Sequence, residues 1–296
     1  MKRNQLCLAL AAALSVTLAV RAYADGPRRI TNLYDAFGTP SALERDWGFA
    51  ALIEYGGKRI LFDTGNDAAI LERNVRQLGI DLSRLDAVVI SHRHGDHTSG
   101  LKYLLEVNPR VKIYTPVESS FFKAAFPPGF LARSPGLPPN MQYYGGKQPE
   151  RFQSGSPWEQ ANFEAVAKTT EIFPGFFVLT NISQKPGSLD MNELSLAVQT
   201  PKGLAVIVGC SHPGVENILA AAAKIDPHLY TVMGGFHLVL TPEAEVRRVA
   251  LVLRDEFRVE RVAPAHCTSE LGFAVLRERF KNHYDEAGLG AVIPLP

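Results

Sequence analysis

Three histidines fall within six residues of this chain, in His92-Arg93-His94-Gly95-Asp96-His97, directly after the apolar run Asp86 to Ile90. That run reads as a short buried strand. Gly95 lets the following loop turn tightly. A divalent metal needs several neutral imidazoles and carboxylates converging on one point, and a loop leaving a rigid strand can supply them. Histidines 92 and 94 are two apart and can point to one side. Asp96 and His97 can then serve a second ion nearby. The alternative, a solvated His-rich turn, leaves the buried strand and the interposed aspartate without a purpose.

The rest of the chain reads as short strands ending in polar loops. Trp47 to Tyr55 is a strand, Gly56-Gly57 a hairpin turn and Lys58 to Phe62 the return strand, ending in Asp63-Thr64-Gly65. A helix is predicted over Asp67 to Leu78, with Ile70, Leu71, Val75 and Leu78 on one face. Leu101 to Val107 reads as helix and Val111 to Tyr114 as strand. An insertion around 121–157, rich in Pro, Gly and aromatics, has no clear period over Pro127 to Pro157 and reads as a long loop or lid. Its Phe121 to Pro157 region is expected to line a pocket. Glu164 to Phe173 and Phe176 to Thr180 read as strands. The second half repeats the pattern, with strands over Leu194 to Gln199, Leu204 to Val208, Leu229 to Met233 and Arg261 to Ala263. Helices are predicted over Pro213 to Lys224, from a Thr241 cap and Pro242 to about Phe257, and over Ser269 to Phe280. This is an α/β pattern, with sheets covered by helices and polar loops gathered along one edge.

The 296 residues allow one large domain or two small ones. A hydrophobic fraction of 46% and a charged fraction of 21% fit a folded globular chain. Residues 1–24 read as a signal peptide: Lys2 and Arg3, an apolar run from Leu6 to Val20, then Ala22-Tyr23-Ala24 as a small-x-small cleavage site. The run is short for a membrane span, so export to the periplasm or medium is expected, with no stable membrane anchor after cleavage. Cleavage removes Lys2, Arg3 and Arg21 and no acidic residue, so the formal charge falls from +1 to −2. With charges evenly mixed, no nucleic-acid partner is expected; the expected partner is a small-molecule substrate. Cys210 and Cys267 remain, each beside a histidine, in Gly209-Cys210-Ser211-His212 and His266-Cys267-Thr268. A disulfide, free thiols or a metal-proximal thiol are all open.

The pattern His-x-His-x-Asp-His after a strand resembles the signature of the metallo-β-lactamase-fold hydrolase superfamily, and the resemblance covers essentially all of residues 25–296. It implies an αββα sandwich, two packed mixed β-sheets flanked by helices, in a single domain. Gly209-Cys210-Ser211-His212-Pro213-Gly214, Gly234-Gly235-Phe236-His237-Leu238 and Pro264-Ala265-His266-Cys267-Thr268 are similar to the branch named for 7,8-dihydropterin-6-methyl-4-(β-D-ribofuranosyl)aminobenzene-5'-phosphate synthase. By this resemblance His92 and His94 bind a first metal, and Asp96, His97 and His266 a second. His212 is the candidate to complete the first site. Asp63 would support the metal loop from behind. The commonest family pattern has a separate third histidine and a bridging aspartate after a Gly. Here Val208-Gly209-Cys210 stands in that place, so either Cys210 or His212 could fill the bridging role.

His237 follows a Gly-Gly pair at a strand end and is a candidate for substrate binding or acid–base work, as Asp96 is for proton handling. Arg93 could meet an anionic substrate, and Glu193 could be a supporting carboxylate. His228 and His283 have no such context. No Gly-x-Ser-x-Gly elbow, phosphate-binding loop or dinucleotide fingerprint is present. The resulting expectation is an exported hydrolase with two divalent ions. Zinc fits best, manganese and iron stay open, and a metal-bound hydroxide would attack an ester, lactone or phosphoester. Two other readings remain: a pyrophosphate-displacing transferase like the synthase, and a non-catalytic metal-dependent binding protein.

Overall fold

The structure, a computed structural model, describes residues 26–39, 41–118, 121–122, 124–125, 136–147, 153–154 and 158–296. The leader expected over 1–24 and most of the 121–157 insertion lie outside the described residues. Among the described residues, no helix is long and apolar enough to cross a membrane.

Strand runs in which every residue is apolar need cover on both faces. β2 (Ala50–Tyr55) and β3 (Lys58–Phe62) form the hairpin, with Gly56 and Gly57 both left-handed, as a two-residue loop of this twist requires. β1 (Arg29–Tyr34) pairs with β2 on one side. β4 (Ala87–Val89) and β5 (Lys112–Pro116) add in parallel on the other. A two-stranded ribbon, β6 (Ala124–Ala125) and β7 (Gln153–Ser154), is all the regular strand structure described in the insertion. β8 (Asn162–Val166) closes one edge of the first sheet and β15 (Val292–Pro294) the other, in the order β15-β1-β2-β3-β4-β5-β8. The second sheet runs β14 (Arg261–Ala265), β13 (Leu229–Gly235), β12 (Gly203–Val208), β11 (Asn192–Thr200), β10 (Phe176–Ile182), β9 (Thr170–Phe173).

Alternation then decides the layers. Ile30, Ile53, Ile60, Phe62 and Val89 from the first sheet pack on Val178, Leu196, Ile207, Met233 and Ala263 from the second. Their neighbours point outward. Leu52, Leu61 and Val88 meet α1 (Ala68–Gln77) and α3 (Leu101–Val107) through Leu71, Val75 and Leu104. Val206, Val208 and Val232 meet α4 (Val215–Ala222), α5 (Glu243–Leu251) and α6 (Glu270–Phe280) through Ile218, Val246 and Leu276. The result is the expected αββα sandwich of two mixed sheets flanked by helices.

Three details depart from the sequence reading. The run Glu164 to Phe173 is not one strand: β8 belongs to the first sheet and β9 to the second, and the chain crosses between them through exposed Ala167-Lys168-Thr169. A continuous ladder cannot serve two packed sheets. Thr241 does not cap α5; Pro242, with extended ψ, is the capping residue and makes no side-chain cap bond. Phe121 is buried beside Trp158 and Phe163 in the core under α3, so it is packing rather than pocket wall.

Gly234 sits in β13 at φ +127°, where a Cβ would lie 1.9 Å from the Val208 carbonyl oxygen of β12. Gly234→Ala must therefore push apart the two strands whose ends carry Cys210 and His237. Its expected cost is at least about 2 kcal/mol, a substitution both sterically blocked and left-handed. A denaturation midpoint equal to that of the parent protein would contradict this packing.

Candidate metal centre

β4 delivers the histidine loop. It is paired on both sides and fully buried, so the chain leaves the sheet in a fixed direction. Asp63, at the end of β3, holds the start and the end of that loop. Its Oδ1 accepts the Ser91 amide N–H, and its Oδ2 accepts the Ser91 hydroxyl and the His97 ring Nδ1–H, each at 2.7 Å. The Ser91 hydroxyl has given its one proton to Asp63, so it must accept from His92 Nδ1, 2.8 Å away. Both histidines thus carry their proton on Nδ1 and turn Nε2 toward a common centre. A carboxylate or hydroxyl on the remote nitrogen is what orients a metal-binding imidazole. The single turn α2 (Gly95–Thr98) is tied to the same sheet: Phe49 N–H donates to Asp96 O, and Thr64 donates its N–H and hydroxyl to His97 O.

The second half arrives from the other sheet. Glu193 on β11 accepts the amide N–H groups of Cys210 (3.1 Å), Ser211 (2.7 Å) and His212 (2.7 Å), which folds the end of β12 into a tight turn with Ser211 left-handed. The Ser211 hydroxyl donates to Gly235 O on β13. A side chain at Gly209 would meet Ser91 Oγ at 2.3 Å and Asp63 Oδ2 at 3.1 Å, so the two halves touch there. His266, left-handed at the end of β14, donates its N–H to Asp35 Oδ2, which also accepts from Asn32 Nδ2.

These supports bring the six ligands that the resemblance implies together with a seventh donor, Cys210. The ring of His92 lies 4.7 Å from His94 and 4.8 Å from His212, centroid to centroid, and His94 lies 4.9 Å from His212. Asp96 Oδ2 stands 3.7 Å from His97 Nε2 and 3.5 Å from His266 Nε2. Cys210 Sγ is 3.2 Å from His97 Nε2. Two donor sets could each hold an ion: His92, Cys210 and His212, and His97, Cys210 and His266, with all donor atoms of a set within 4.8 Å of one another. Both ring nitrogens of His212 and of His266 are buried with no hydrogen-bond partner among the described residues. An unsatisfied buried polar atom costs about 1–3 kcal/mol, which a bound ion would remove. The residues fit a metal, and imidazole, carboxylate and thiol together suit zinc or a similar ion better than magnesium or calcium.

Electrostatics prepares most of these rings as neutral ligands. Burial, then the neighbouring rings, drives His92 well below the ordinary value and His212 down to about 3. Burial lowers His94 and, with nearby Lys185, His237. His97 is the exception: burial opposes its charge, but Asp63 and Asp96 outweigh burial and push it up to about 9. For Asp96, burial is outweighed by contact with His266 and the charge of His97, so the carboxyl stays below its usual range. Burial raises Glu193 to about 7 against the pull of the Ser211 and His212 amides, and Asp35 to about 6 against that of His266.

The metallo-beta-lactamase superfamily profile matches residues 48–266, from just before β2 to His266 itself. The chain belongs to this superfamily. Proteins of the superfamily are mostly enzymes and usually bind divalent metals, often zinc. The 7,8-dihydropterin-6-methyl-4-(beta-D-ribofuranosyl)-aminobenzene-5'-phosphate synthase of Methanocaldococcus jannaschii is 28% identical over 88% of this chain and 93% of its own. A solved metal-dependent hydrolase of the beta-lactamase superfamily superposes with a TM-score of 0.68 at 27% identity, covering 90% of this chain and 98% of that one. A diphosphatase of the PhnP family, at 13% identity and a TM-score of 0.52 over 90% of this chain and 97% of its own, shares the metallo-beta-lactamase fold alone.

The remaining candidates separate. The His237 ring stands 4.4 Å from His212 and lines a cavity of about 320 Å³ with Lys185, Gly214 and Arg248. Arg93 lies outside the donor sets, its guanidinium bound to both carboxylate oxygens of Glu118. His228 is exposed and pairs with Asp226. Cys210 and Cys267 are free buried thiols. A cavity of about 920 Å³ around Phe37, Leu78, Phe273 and Arg277 is lined by none of the candidate ligands. Sequence reasoning missed Asp35, Ser91 and Trp47, whose exposed indole lies 4.9 Å from the His266 ring. The Ile30–Tyr34 run before Asp35 was the available signal for the first; Ser91 and Trp47 carried none.

An unfolded imidazole takes up a proton near pH 6.5, whereas folded His212 does so only near pH 3. The unfolded chain therefore binds more protons between those values, and stability is lost as pH falls through that window. Metal-free His212→Gln should lose less of its urea midpoint than the parent protein between about pH 7 and about pH 4. Equal losses in the two proteins would show that His212 is not held neutral.

Proposed function

We propose that this chain is an exported metal-dependent hydrolase with two divalent ions, zinc fitting best, that cleaves a small ester, lactone or phosphoester. The observation that carries this reading is the convergence of both sheets' loops on one cluster in which four buried imidazole nitrogens of His212 and His266 make no hydrogen bond among the described residues. His92, His94 and His212 would hold one ion, and Asp96, His97 and His266 the other. Bound ions would acidify a water and draw charge from the substrate oxygen. Asp63 and Ser91 fix the ring tautomers, Glu193 fixes the turn that carries His212, and Asp35 anchors His266.

His94, Asp96 and His237 are the part-exposed members of the cluster, whereas His92, His97, His212 and His266 are buried. Substrate would therefore approach along the His94–Asp96–His237 side, with the Trp47 indole as an apolar rim. Asp96, ionised and at the rim, is placed to take a proton, and His237 to meet a substrate polar group.

The similarity to the Methanocaldococcus synthase supports a second reading, a transferase that displaces pyrophosphate. The leader-like residues 1–24 favour hydrolysis, because pterin and riboside-phosphate substrates are made and kept in the cytoplasm.

The purified chain is expected to carry two divalent ions and to hydrolyse a member of an ester, lactone and phosphodiester panel, with activity abolished in His94→Ala. Protein that takes up no metal would reject this function, and pyrophosphate release from pterin substrates with no hydrolysis would favour the transferase. Asp63→Asn should weaken metal binding by roughly 10–100-fold, because Asp63 holds a ligand's remote nitrogen. An unchanged metal affinity in this variant would break the proposed chain of support. N-terminal sequencing of the mature chain should begin at Asp25.

A further inference from the structure

We propose that the two ions share one protein ligand, the Cys210 sulfur, so that the centre is a thiolate-bridged pair. This rests on the two-ion reading above. The reason is positional. The sulfur of Cys210 belongs to both donor sets, with His92 and His212 on one side and His97 and His266 on the other. No carboxylate near the cluster does the same. Asp96 Oδ2 approaches His97 and His266, the second set only. Asp63 spends both oxygens on Ser91 and His97 Nδ1. Glu193 spends both on the amide groups of residues 210–212. Among the described residues, the shared position therefore falls to sulfur.

The backbone is built to hold that sulfur in place. Glu193 pins the Cys210 amide, and Gly209 lets the turn press against Ser91 and Asp63 with no side chain between. Cys267 does not compete. Its thiol donates to the Cys210 carbonyl oxygen at 3.6 Å and belongs to neither donor set. It braces the turn from behind and is a positioning residue.

The chemical consequence is selectivity. Thiolate favours zinc, cobalt, cadmium and other borderline or soft ions and disfavours magnesium and calcium. On loading, the Cys210 thiol gives its proton to solvent and the sulfur binds as the anion.

Zinc K-edge absorption on the full-length, two-zinc protein tests the bridge without a variant. A shared thiolate gives one sulfur per zinc at about 2.3 Å, a ligand to one ion gives half that, and a non-ligand gives none. Anaerobic cobalt(II) titration supplies the second readout. The parent protein and Cys267→Ser should develop an intense near-ultraviolet sulfur-to-cobalt band saturating at two equivalents. Cys210→Ser should lose the band, and Cys210→Asp should bind two cobalt ions without it. Half a sulfur or none per zinc, or a band that survives Cys210→Ser or vanishes in Cys267→Ser, overturns the bridge while leaving a two-metal hydrolase standing. Failure to take up zinc or cobalt at all overturns both.

Discussion

The Asp63 carboxylate is the interaction on which the centre depends. It sits at the end of β3 and accepts three hydrogen bonds, from the amide and hydroxyl of Ser91 and from the ring of His97. One buried group thereby sets the direction in which the chain leaves β4, the tautomer of His92 through Ser91, and the tautomer of His97 directly. A buried carboxylate is stable only when its oxygens are fully hydrogen-bonded. That requirement makes the arrangement rigid: moving any one donor leaves charge unsatisfied in the core. Gly209 extends the constraint across the molecule, because the second sheet's turn can reach Asp63 and Ser91 only without a Cβ in the way.

Glu193 on β11 and Asp35 at the end of β1 repeat this logic for the turns that leave the second sheet. Each is a buried acid that accepts backbone N–H groups of a turn carrying a histidine. The rigid part of the centre is thus not the imidazoles but the three carboxylates behind them. The imidazoles themselves are crowded, largely neutral and short of partners, which is a poor arrangement for a protein alone and a suitable one for binding cations. Left-handed backbone at Asp63, Ser211, His237 and His266 marks the same places. Each costs conformational energy that the surrounding packing and hydrogen bonds hold in check.

The layered fold was readable because its pattern is local. The apolar runs of β2, β10 and β12 and the periodic face of α1 identify elements, and the repeated strand, loop and helix order implies sheets covered by helices. What was not readable was the partnership of weak segments. β1 and β15 are short, and each acquires meaning only from pairing at the edge of the first sheet. The run from Glu164 to Phe173 looks continuous in sequence, but its two ends are claimed by different sheets. Asp35 went unread because its strand did. Trp47, at the head of the run Trp47 to Tyr55, stands outside β2 beside His266.

By itself the sequence determined the donor chemistry: which side chains are imidazole, carboxylate or thiol, and that each stands at a strand end. Residue identity and local periodicity are written in neighbouring positions, so they survive without coordinates. Only the tertiary structure decided which donors meet. Arg93, inside the loop, pairs with Glu118, whereas Cys210, more than a hundred residues away from His97, comes within 3.2 Å of its ring. The physical reason is that convergence depends on how two sheets stack and where a missing Cβ lets them touch, and those are properties of packing between distant segments that no local spacing encodes.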